Sequence, residues 1–423
     1  MKKDNNHTEV PLVALDLGSS SLKAMAAYSL PEEDGRIHIL GVEGSNKFDC
    51  ISKGRITNTS SAGYLISEVL RLLANRIGQA GSFPSAFVAI GGKSMGAASI
   101  PASRRFGLKP VIDSKYINAM IKECQDKFQQ RYPNYALQYV RPAYFDIDGE
   151  PFGSELPLGT RGEAVKAMFT SFYGDKQMLE EVVSSFGRST AELESVFPRP
   201  VALVEALASE EDEQLGLAII DFGYETTTVS VYKNGEFLCS KTVLLGGKHI
   251  TSDISQMHIA PALAEKIKVR YGVAAEQFLK KNPTMDIPSS VKGEENVRLP
   301  MAMLTEIINS RLDEILQEPL KVIQKYEDSI SIVYITGGAS RLSFLDQYLG
   351  NLISIPVTYG SHADWLDEET PDMYCAPEYS ALVGSILLAR KYRKNHQPLT
   401  EKKTIGNKFK TTLLDLFTYP DQQ

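Results

Sequence analysis

The feature that most constrains the fold of this chain is a short motif, Asp-x-Gly, that occurs twice about two hundred residues apart. Each copy is entered from an apolar run and left by an alternating one. Three pairs of residues correspond between the copies: Asp16 with Asp221, Gly18 with Gly223, and Ser21 with Thr226. A single copy would indicate little, because Asp-Gly is a common hairpin turn. The matched pair predicts two similar half-proteins that face each other, and two unrelated hairpins are the alternative.

The chemistry of these turns suits a phosphate chain and a metal ion. Glycine at a bend lets backbone N–H groups approach a phosphate without a Cβ in the way. A nearby aspartate can hold Mg²⁺, usually through water, because that ion gives up its hydration shell reluctantly. The pair of turns therefore predicts a nucleotide cleft between the two halves.

Two glycine pairs and one ion pair could border the rest of a nucleotide. Gly337-Gly338 follows a strand, where an adenine ring could lie flat against the main chain, and an ordinary strand-to-helix turn is the alternative. Gly246-Gly247 also joins a strand to a helix. On the next helix, Glu265 and Lys268 share one face and could reach a ribose or base. A solvated ion pair is the alternative there.

Composition places the chain among globular proteins of more than one domain. Its 423 residues are 43% hydrophobic and 23% charged. The net charge of -7 argues against a broad nucleic-acid surface, which would need a basic face. Four cysteines and six histidines show no metal-ligand spacing. Residues 1–10 lack the apolar core of a signal peptide, and no apolar run reaches about 18 residues, so we expect a cytoplasmic location.

Strand and helix patterns divide the chain into two halves with one insertion. Helices are predicted at 62–77, 114–129, 175–186, 200–208 and 378–391. A pair of strands is expected around 136–145, and an irregular stretch at 282–297. The predicted parts are a first α/β subdomain at 1–92, completed by 365–394; an inserted α+β subdomain at 93–174; a second α/β subdomain at 175–254, completed by 325–364; a small helical subdomain at 255–324; and a tail at 395–423.

The tail is predicted to be a polar linker followed by an amphipathic helix. An apolar stripe and a basic start are formed by Phe409, Leu413, Leu416 and Phe417, and by Lys408 and Lys410. Such a helix can lie in the headgroup plane of an anionic membrane, and docking on the protein's own body is the alternative. Each buried Phe or Leu contributes at most about 1.5–3 kcal/mol, so we expect weak binding that needs several linked tails.

The combination of motifs resembles the FtsA family of actin-like bacterial cell-division proteins, over roughly residues 11–391. The resemblance rests on the two Asp-x-Gly turns, on the runs around Gly246 and Glu265, on Thr336-Gly337-Gly338, and on the insertion after Gly92. It implies an α/β, actin-like (duplicated RNase H-like) two-domain fold with an inserted small α+β subdomain and a C-terminal amphipathic helix.

By this resemblance, the cleft would bind ATP and Mg²⁺. The phosphates would lie beside Gly18, Ser19, Ser20 and Gly223, and the metal beside Asp16 and Asp221. The nucleoside would lie beside Gly246, Gly247, Glu265, Lys268, Gly337 and Gly338. No catalytic residue is assigned.

The chain departs from the family pattern directly after its second Asp-x-Gly turn. The family usually has two small residues there, whereas this chain has Tyr224 and Glu225. The ring would crowd the phosphates, and the carboxylate would repel them by roughly 3 kcal/mol at about 5 Å and an effective dielectric near 20. We expect weak nucleotide binding or very slow hydrolysis, at most a weak ATPase. A role for Glu225 in orienting the attacking water is the alternative.

The resemblance implies a scaffold that polymerises with ATP and tethers FtsZ filaments to the cytoplasmic face of the inner membrane at the division septum. Later division proteins would be further partners, and the family's partner-binding surface lies on the helical subdomain. A metabolite kinase or phosphatase of the same superfold is one alternative, although no general base is recognisable. A pilus-assembly adaptor related to FtsA is the other, although such adaptors generally lack a tail of this kind.

Overall fold

The computed structural model describes residues 10–30, 35–46, 49–93, 95–279, 281–293 and 295–395. These residues form two five-stranded sheets, one four-stranded sheet, two short hairpins and the helices packed around them. In this part of the chain, no helix has both the length and the apolar character that crossing a membrane requires.

The strands, in chain order, are β1 (Leu12–Leu17), β2 (Leu22–Ser29), β3 (Ile37–Ser45), β4 (Ile51–Ser52), β5 (Arg55–Ile56), β6 (Ser85–Ile90), β7 (Met95–Arg105), β8 (Tyr135–Ile147), β9 (Glu150–Gly153), β10 (Ala164–Asp175), β11 (Glu192–Pro198), β12 (Leu217–Phe222), β13 (Thr227–Lys233), β14 (Glu236–Val243), β15 (Thr284–Ile287), β16 (Val297–Pro300), β17 (Ile332–Thr336) and β18 (Val357–Tyr359). The α-helices are α1 (Thr59–Arg76), α2 (Ser114–Arg131), α3 (Lys176–Phe186), α4 (Arg199–Leu207), α5 (Glu210–Leu215), α6 (Gly247–Ser255), α7 (Pro261–Tyr271), α8 (Met301–Lys325), α9 (Leu345–Gly350) and α10 (Ser380–Asn395).

The two five-stranded sheets have the same topology. The first sheet has the order β11-β6-β1-β2-β3, and the second has the order β18-β17-β12-β13-β14. In each sheet, the central strand pairs antiparallel with the strand that follows it in sequence and parallel with a later strand. The two halves are therefore structural duplicates, as the matched motifs predict.

The two Asp-x-Gly turns occupy equivalent positions in these sheets. Asp16 is paired with Lys23 across β1 and β2, and Asp221 is paired with Thr228 across β12 and β13. Each aspartate is the last but one residue of its central strand. Glycine pairs follow the parallel neighbours β6 and β17 at the same edge, which is where α/β sheets bind ligands.

The third sheet is inserted between β6 and β11, and it has the antiparallel order β7-β10-β8-β9. Helix α2 packs on it through an apolar cluster that includes Ile117 and Phe128.

The predicted pair of strands around 136–145 is wrong, because these residues belong to the single strand β8. Strand β10 pairs with β8 along its length across two register shifts. The proposed subdomain boundaries stay predictions.

The predicted helices are all present within a few residues, as α1, α2, α3, α4 and α10. Three of them begin where a side chain accepts hydrogen bonds from backbone N–H groups of the first turn: Asn58 for α1, Asp113 for α2 and Asp175 for α3. The stretch 282–297, expected to be irregular, instead contributes to the hairpin of β15 and β16.

Helices α4 and α10 lie between the two five-stranded sheets. One buried cluster joins residues of both helices and both sheets: Val201, Leu203, Leu382, Ile386, Met25 and Ile219. Separate clusters cover the outer faces, with α1 and α3 on the first sheet and α6, α7 and α8 on the second. A common apolar layer therefore joins the two halves.

A side chain at Gly384 in α10 is expected to force α10 away from α4. A Cβ at this position would lie 1.7 Å from the carbonyl oxygen of Ala202. We predict that Gly384→Ala lowers the free energy of unfolding by about 1–3 kcal/mol, although alanine is the better helix former. Chemical denaturation followed by circular dichroism measures the change. Gly107→Ala is the control, because a Cβ there meets open space, and equal stability of the two variants would contradict the prediction.

Candidate functional site

A cleft of about 920 Å³ lies between the two five-stranded sheets, and both Asp-x-Gly turns line it. Its volume falls in the range of about 300–1,000 Å³ that is typical of small-molecule sites. The lining includes these residues singled out in the sequence: Asp16, Gly18, Ser19, Ser20, Asp221, Gly223, Gly247, Glu265, Lys268 and Gly338. The fold thus brings segments from both halves of the chain to one cavity.

The same close contact requires glycine in both turns. A Cβ on Gly18 would lie 2.8 Å from the carbonyl oxygen of Ser21, and a Cβ on Gly223 would lie 2.8 Å from that of Thr226. Neither glycine position has room for a side chain, so the main chain itself faces the cleft at these two residues. The correspondence between the two motifs therefore extends to their detailed geometry.

Gly246 and Gly337 lie beside the lining and pack against the second turn. A Cβ on Gly246 would lie 2.5 Å from the carbonyl oxygen of Gly223. A Cβ on Gly337 would lie 2.6 Å from Oδ1 of Asp221, and the φ angle of 91° at Gly337 also favours glycine. These glycines shape the turn, and their contact with a nucleoside stays a prediction.

Arg199 links the aspartates of the two turns. Its Nε donates to Oδ2 of Asp221 at 2.6 Å, and its Nη1 donates to Oδ1 of Asp16. The side chains of Asp16 and Asp221 are only 5% and 9% exposed. Burial alone would lower the pKa of Arg199, but the charges and hydrogen bonds of the two aspartates outweigh burial and raise it. Arg199 is therefore a permanent positive charge at the floor of the cleft.

This cluster does not fit the Mg²⁺ site expected at Asp16 and Asp221. Mg²⁺ needs carboxylate oxygens and water in an octahedral arrangement, whereas Arg199 takes one oxygen of each carboxylate. The remaining Oδ1 of Asp221 is buried against Gly337, and no described residue donates a hydrogen bond to it. A cation held by both carboxylates would compete with the guanidinium and be repelled by it.

Glu225, the carboxylate expected to repel phosphates, bridges the cleft. Its Oε2 accepts hydrogen bonds from the backbone N–H of Lys53 at 2.7 Å and from the hydroxyl of Ser52 at 3.2 Å. Both residues belong to the β4-β5 hairpin, in which Lys53 and Gly54 have the positive φ angles of a two-residue turn. The hairpin packs into the core of the first sheet through Ile51 and is therefore part of the first half.

The charge of Glu225 is balanced within the protein. Its Oε1 pairs with Lys248 at 2.6 Å, and only 8% of its side chain is exposed. Burial would raise the pKa of Glu225, but the hydrogen bonds from Lys248 and from the Lys53 backbone outweigh burial and lower it. The repulsion of phosphates expected from this carboxylate is therefore reduced. Tyr224 lines the cleft beside it, and burial raises the pKa of its hydroxyl.

Glu265 and Lys268 belong to a hydrogen-bonded network. The Nζ of Lys268 donates to the carbonyl oxygen of Gly247 at 2.9 Å, to Oγ1 of Thr251 at 2.9 Å and to Oε2 of Glu265 at 2.8 Å. Burial lowers the pKa of Lys268, although Glu265 opposes this shift. The three bonds use all three N–H groups of the ammonium. Glu265, whose side chain is 38% exposed, is thus the member of the pair with room to contact a ligand.

Sequence reasoning missed Arg199, Ser52 and Lys53. Arg199 lies between Pro198 and Pro200 at the start of the apolar helix α4, and a charged residue in that place is the one local signal. Lys53-Gly54 is a recognisable turn, but nothing in the sequence says that the hairpin reaches Glu225.

The residues predicted to bind the membrane lie outside the described part of the chain: Phe409, Leu413, Leu416, Phe417, Lys408 and Lys410. The amphipathic helix therefore stays a prediction.

Removing the carboxylate of Glu225 is expected to release the β4-β5 hairpin from the second half. A hydrogen bond to a charged group contributes about 1.5–3 kcal/mol, so Glu225→Ala should speed exchange of the Lys53 amide by about tenfold or more. Hydrogen exchange with mass spectrometry of peptides spanning 50–56 measures this. Glu211→Ala, which removes an exposed carboxylate from α5, is the matched control. Unchanged exchange at Lys53 would show that the bridge contributes nothing.

Proteins of known name resemble this chain in sequence. The family model described as cell division protein FtsA matches residues 218–384. The chain is 25% identical over 387 residues to the cell division protein FtsA of Pseudomonas aeruginosa, and the alignment covers 89% of this chain and 88% of that relative. It is 23% identical over 414 residues to the cell division protein FtsA of Escherichia coli, with 94% of each chain covered.

Solved structures resemble the chain in fold. The PilM-PilN type IV pilus biogenesis complex aligns with a TM-score of 0.62 at 16% identity, covering 89% of this chain and 98% of that one. MreB 5 of Spiroplasma citri bound to AMPPNP aligns with a TM-score of 0.52 at 13% identity, covering 91% of this chain and 97% of that one. Such identities establish the fold alone, which is the α/β, actin-like fold that the sequence predicts. The chain is therefore similar in sequence to the FtsA cell-division proteins and has an actin-like fold.

Proposed function

We propose that this chain is an actin-like cell-division scaffold that binds a nucleotide in the cleft between its two halves. The observation that carries the proposal is that both Asp-x-Gly turns line one cleft between duplicated sheets. The names of the relatives that align over most of the chain support the role in division. The AMPPNP bound to MreB 5 of Spiroplasma citri supports the nucleotide.

ATP is the nucleotide that we propose. Its phosphates would lie beside the turn residues Gly18, Ser19, Ser20 and Gly223, and its nucleoside beside Gly247, Glu265 and Gly338, which all line the cleft. Mg²⁺ at Asp16 and Asp221 is not part of this placement, because Arg199 pairs with both carboxylates. We assign no catalytic residue. ATP would act as a conformational ligand that changes the angle between the halves, with at most weak hydrolysis.

We further infer that the chain self-associates into filaments and tethers FtsZ to the cytoplasmic face of the inner membrane at the septum. The names of the relatives support the division role, and the apolar stripe from Phe409 to Phe417 supports the attachment to an anionic surface. Residues 255–324 would carry the FtsZ-binding surface, and later division proteins would be further partners.

The likeness in fold to the PilM-PilN complex favours a second candidate function, a pilus-assembly adaptor. It takes second place because relatives that align over 94% of the chain are named for cell division.

Filling the nucleoside side of the cleft is expected to weaken ATP binding. A Cβ on Gly338 would have only the Cβ of Glu378 nearby, at 3.9 Å, so a larger side chain there fits the fold but occupies the cleft. We predict that Gly338→Leu lowers ATP affinity by about tenfold or more, equivalent to about 1.4 kcal/mol. Isothermal titration calorimetry measures this. Gly350→Leu, at a position with open space outside the lining, should bind as the wild type does, and equal affinities for both variants would refute this placement.

Co-sedimentation with liposomes and FtsZ tests the tether. We expect the full chain to carry FtsZ into the pellet with anionic liposomes, and more so with ATP, because linked tails bind together. Phe409→Asp with Phe417→Asp should abolish this recovery. Thr404→Asp with Thr411→Asp adds the same charge on the other side of the predicted helix and should reduce it far less. Equal recovery with both double variants would remove the tail from the proposal.

A further inference from the structure

Rigid elements fix the position of Arg199. It is the first residue of α4 and lies between Pro198 and Pro200, whose rings restrict the backbone. Its side chain passes Gly91, where a Cβ would lie 3.1 Å from the Cδ of Arg199. The rest of α4 is buried between the two sheets, so the guanidinium is held at the floor of the cleft.

The guanidinium pairs with both of the carboxylates that a divalent cation shared by the two turns would need. Asp16 and Asp221 approach it from opposite halves, and each gives it one carboxylate oxygen. A dication added to this cluster would meet the positive charge of Arg199 and would find Oδ1 of Asp221 buried against Gly337. The cluster of Arg199 and the two aspartates therefore disfavours binding of a divalent metal ion at the position where the two turns meet.

The same guanidinium can serve an anionic ligand. Its bonds to the aspartates use two of its five N–H groups, and the residue lines the cleft. An N–H group that faces the cleft can donate to a phosphate oxygen, and guanidinium–phosphate bonds are strong because both partners are charged. Glu225, another carboxylate in the lining, is already paired with Lys248. A polyphosphate would therefore meet a fixed protein cation.

We propose that Arg199 takes the place of the divalent cation in this cleft, so that the chain binds a polyphosphate nucleotide without one. The identity of the ligand rests on the function proposed above, whereas the exclusion of the metal rests on the ion pairs of Arg199 and on the buried Oδ1 of Asp221. Arg199 is thus a specificity-determining residue that selects the metal-free form of the ligand.

Electron paramagnetic resonance of Mn²⁺ tests the exclusion of the metal on the full chain without nucleotide, because protein-bound Mn²⁺ loses the sharp signal of the free ion. We expect no saturable uptake by the wild type up to about 1 mM Mn²⁺, and uptake of about one ion per chain by Arg199→Gln, in which two carboxylates are free for a hard cation. Arg199→Gln with Asp16→Asn should lose that uptake. Arg199→Lys keeps one charge but cannot bridge both aspartates with a planar fork, so it should show weaker uptake than Arg199→Gln.

Saturable uptake by the wild type that Asp16→Asn abolishes would overturn the proposal. So would a folded Arg199→Gln variant that takes up no Mn²⁺. Circular dichroism establishes whether each variant is folded. If Arg199→Gln does not fold, Arg199→Lys and the wild type decide by the same measurement.

Titration with ATP in Mg²⁺ and in EDTA tests the second part of the proposal. The wild-type dissociation constants in the two buffers should agree within about threefold, whereas Arg199→Gln should bind about tenfold more tightly in Mg²⁺ than in EDTA. Arg341→Gln removes another guanidinium from the lining, one that pairs with Glu378, and is the matched control without metal dependence. If the wild type bound ATP more than about threefold more weakly in EDTA than in Mg²⁺, the proposal would be overturned. Absence of ATP binding in both buffers would instead refute the nucleotide function, and the Mn²⁺ result would still decide the exclusion of the metal.

Discussion

The two halves of this protein meet at buried carboxylates whose negative charges are compensated by ion pairs. One carboxylate from each Asp-x-Gly turn lies almost buried where the sheets face each other, and a buried carboxylate without a counter-charge is costly. Arg199 forms ion pairs with both aspartates, and Lys248 forms an ion pair with Glu225. The relative position of the two sheets therefore depends on the Arg199 bridge and on the Glu225–Lys53 hydrogen bond, as well as on the apolar layer of α4 and α10.

The duplicated fold could be predicted from the sequence because each half carries its own local signals. The strands before the two turns are apolar up to the aspartate, and a Cβ at the glycine of each bend would clash with a backbone carbonyl oxygen. Asn58 and Asp113 mark helix starts in the same local way. The sequence failed to predict secondary structure where pairing with a distant strand determines it. Residues 135–147 form one strand because β10 pairs with it from end to end across two register shifts, and residues 284–300 contain a hairpin although their composition indicated a loop.

In the candidate site, too, the residues set by local structure could be predicted and the long-range contacts could not. The glycines of the turns could be named from the sequence because close main-chain contacts restrict those positions to one residue type. The aspartates could be named because they occupy the same place in both copies of the motif. The partners of the charged side chains could not. Arg199 and Asp16 are 183 positions apart, and Glu225 and Lys53 are 172 positions apart. A local pattern carries no information about such pairs, so the sequence indicated a repulsive Glu225 where the fold supplies Lys248 and a backbone N–H group.

Helix α10 connects the interior of the molecule with whatever follows residue 395. It packs against α4 and against β1, β2 and β6 of the first sheet, and near its end Arg393 pairs with Glu194 of β11 at 2.5 Å. A pull on the chain beyond this helix would load α10 in shear against α4, with many contacts resisting at once, instead of peeling a surface element away one contact at a time. Mechanical load would then fall on the whole interface of α10 with α4 and the first sheet, which suits a body that must keep its shape under tension.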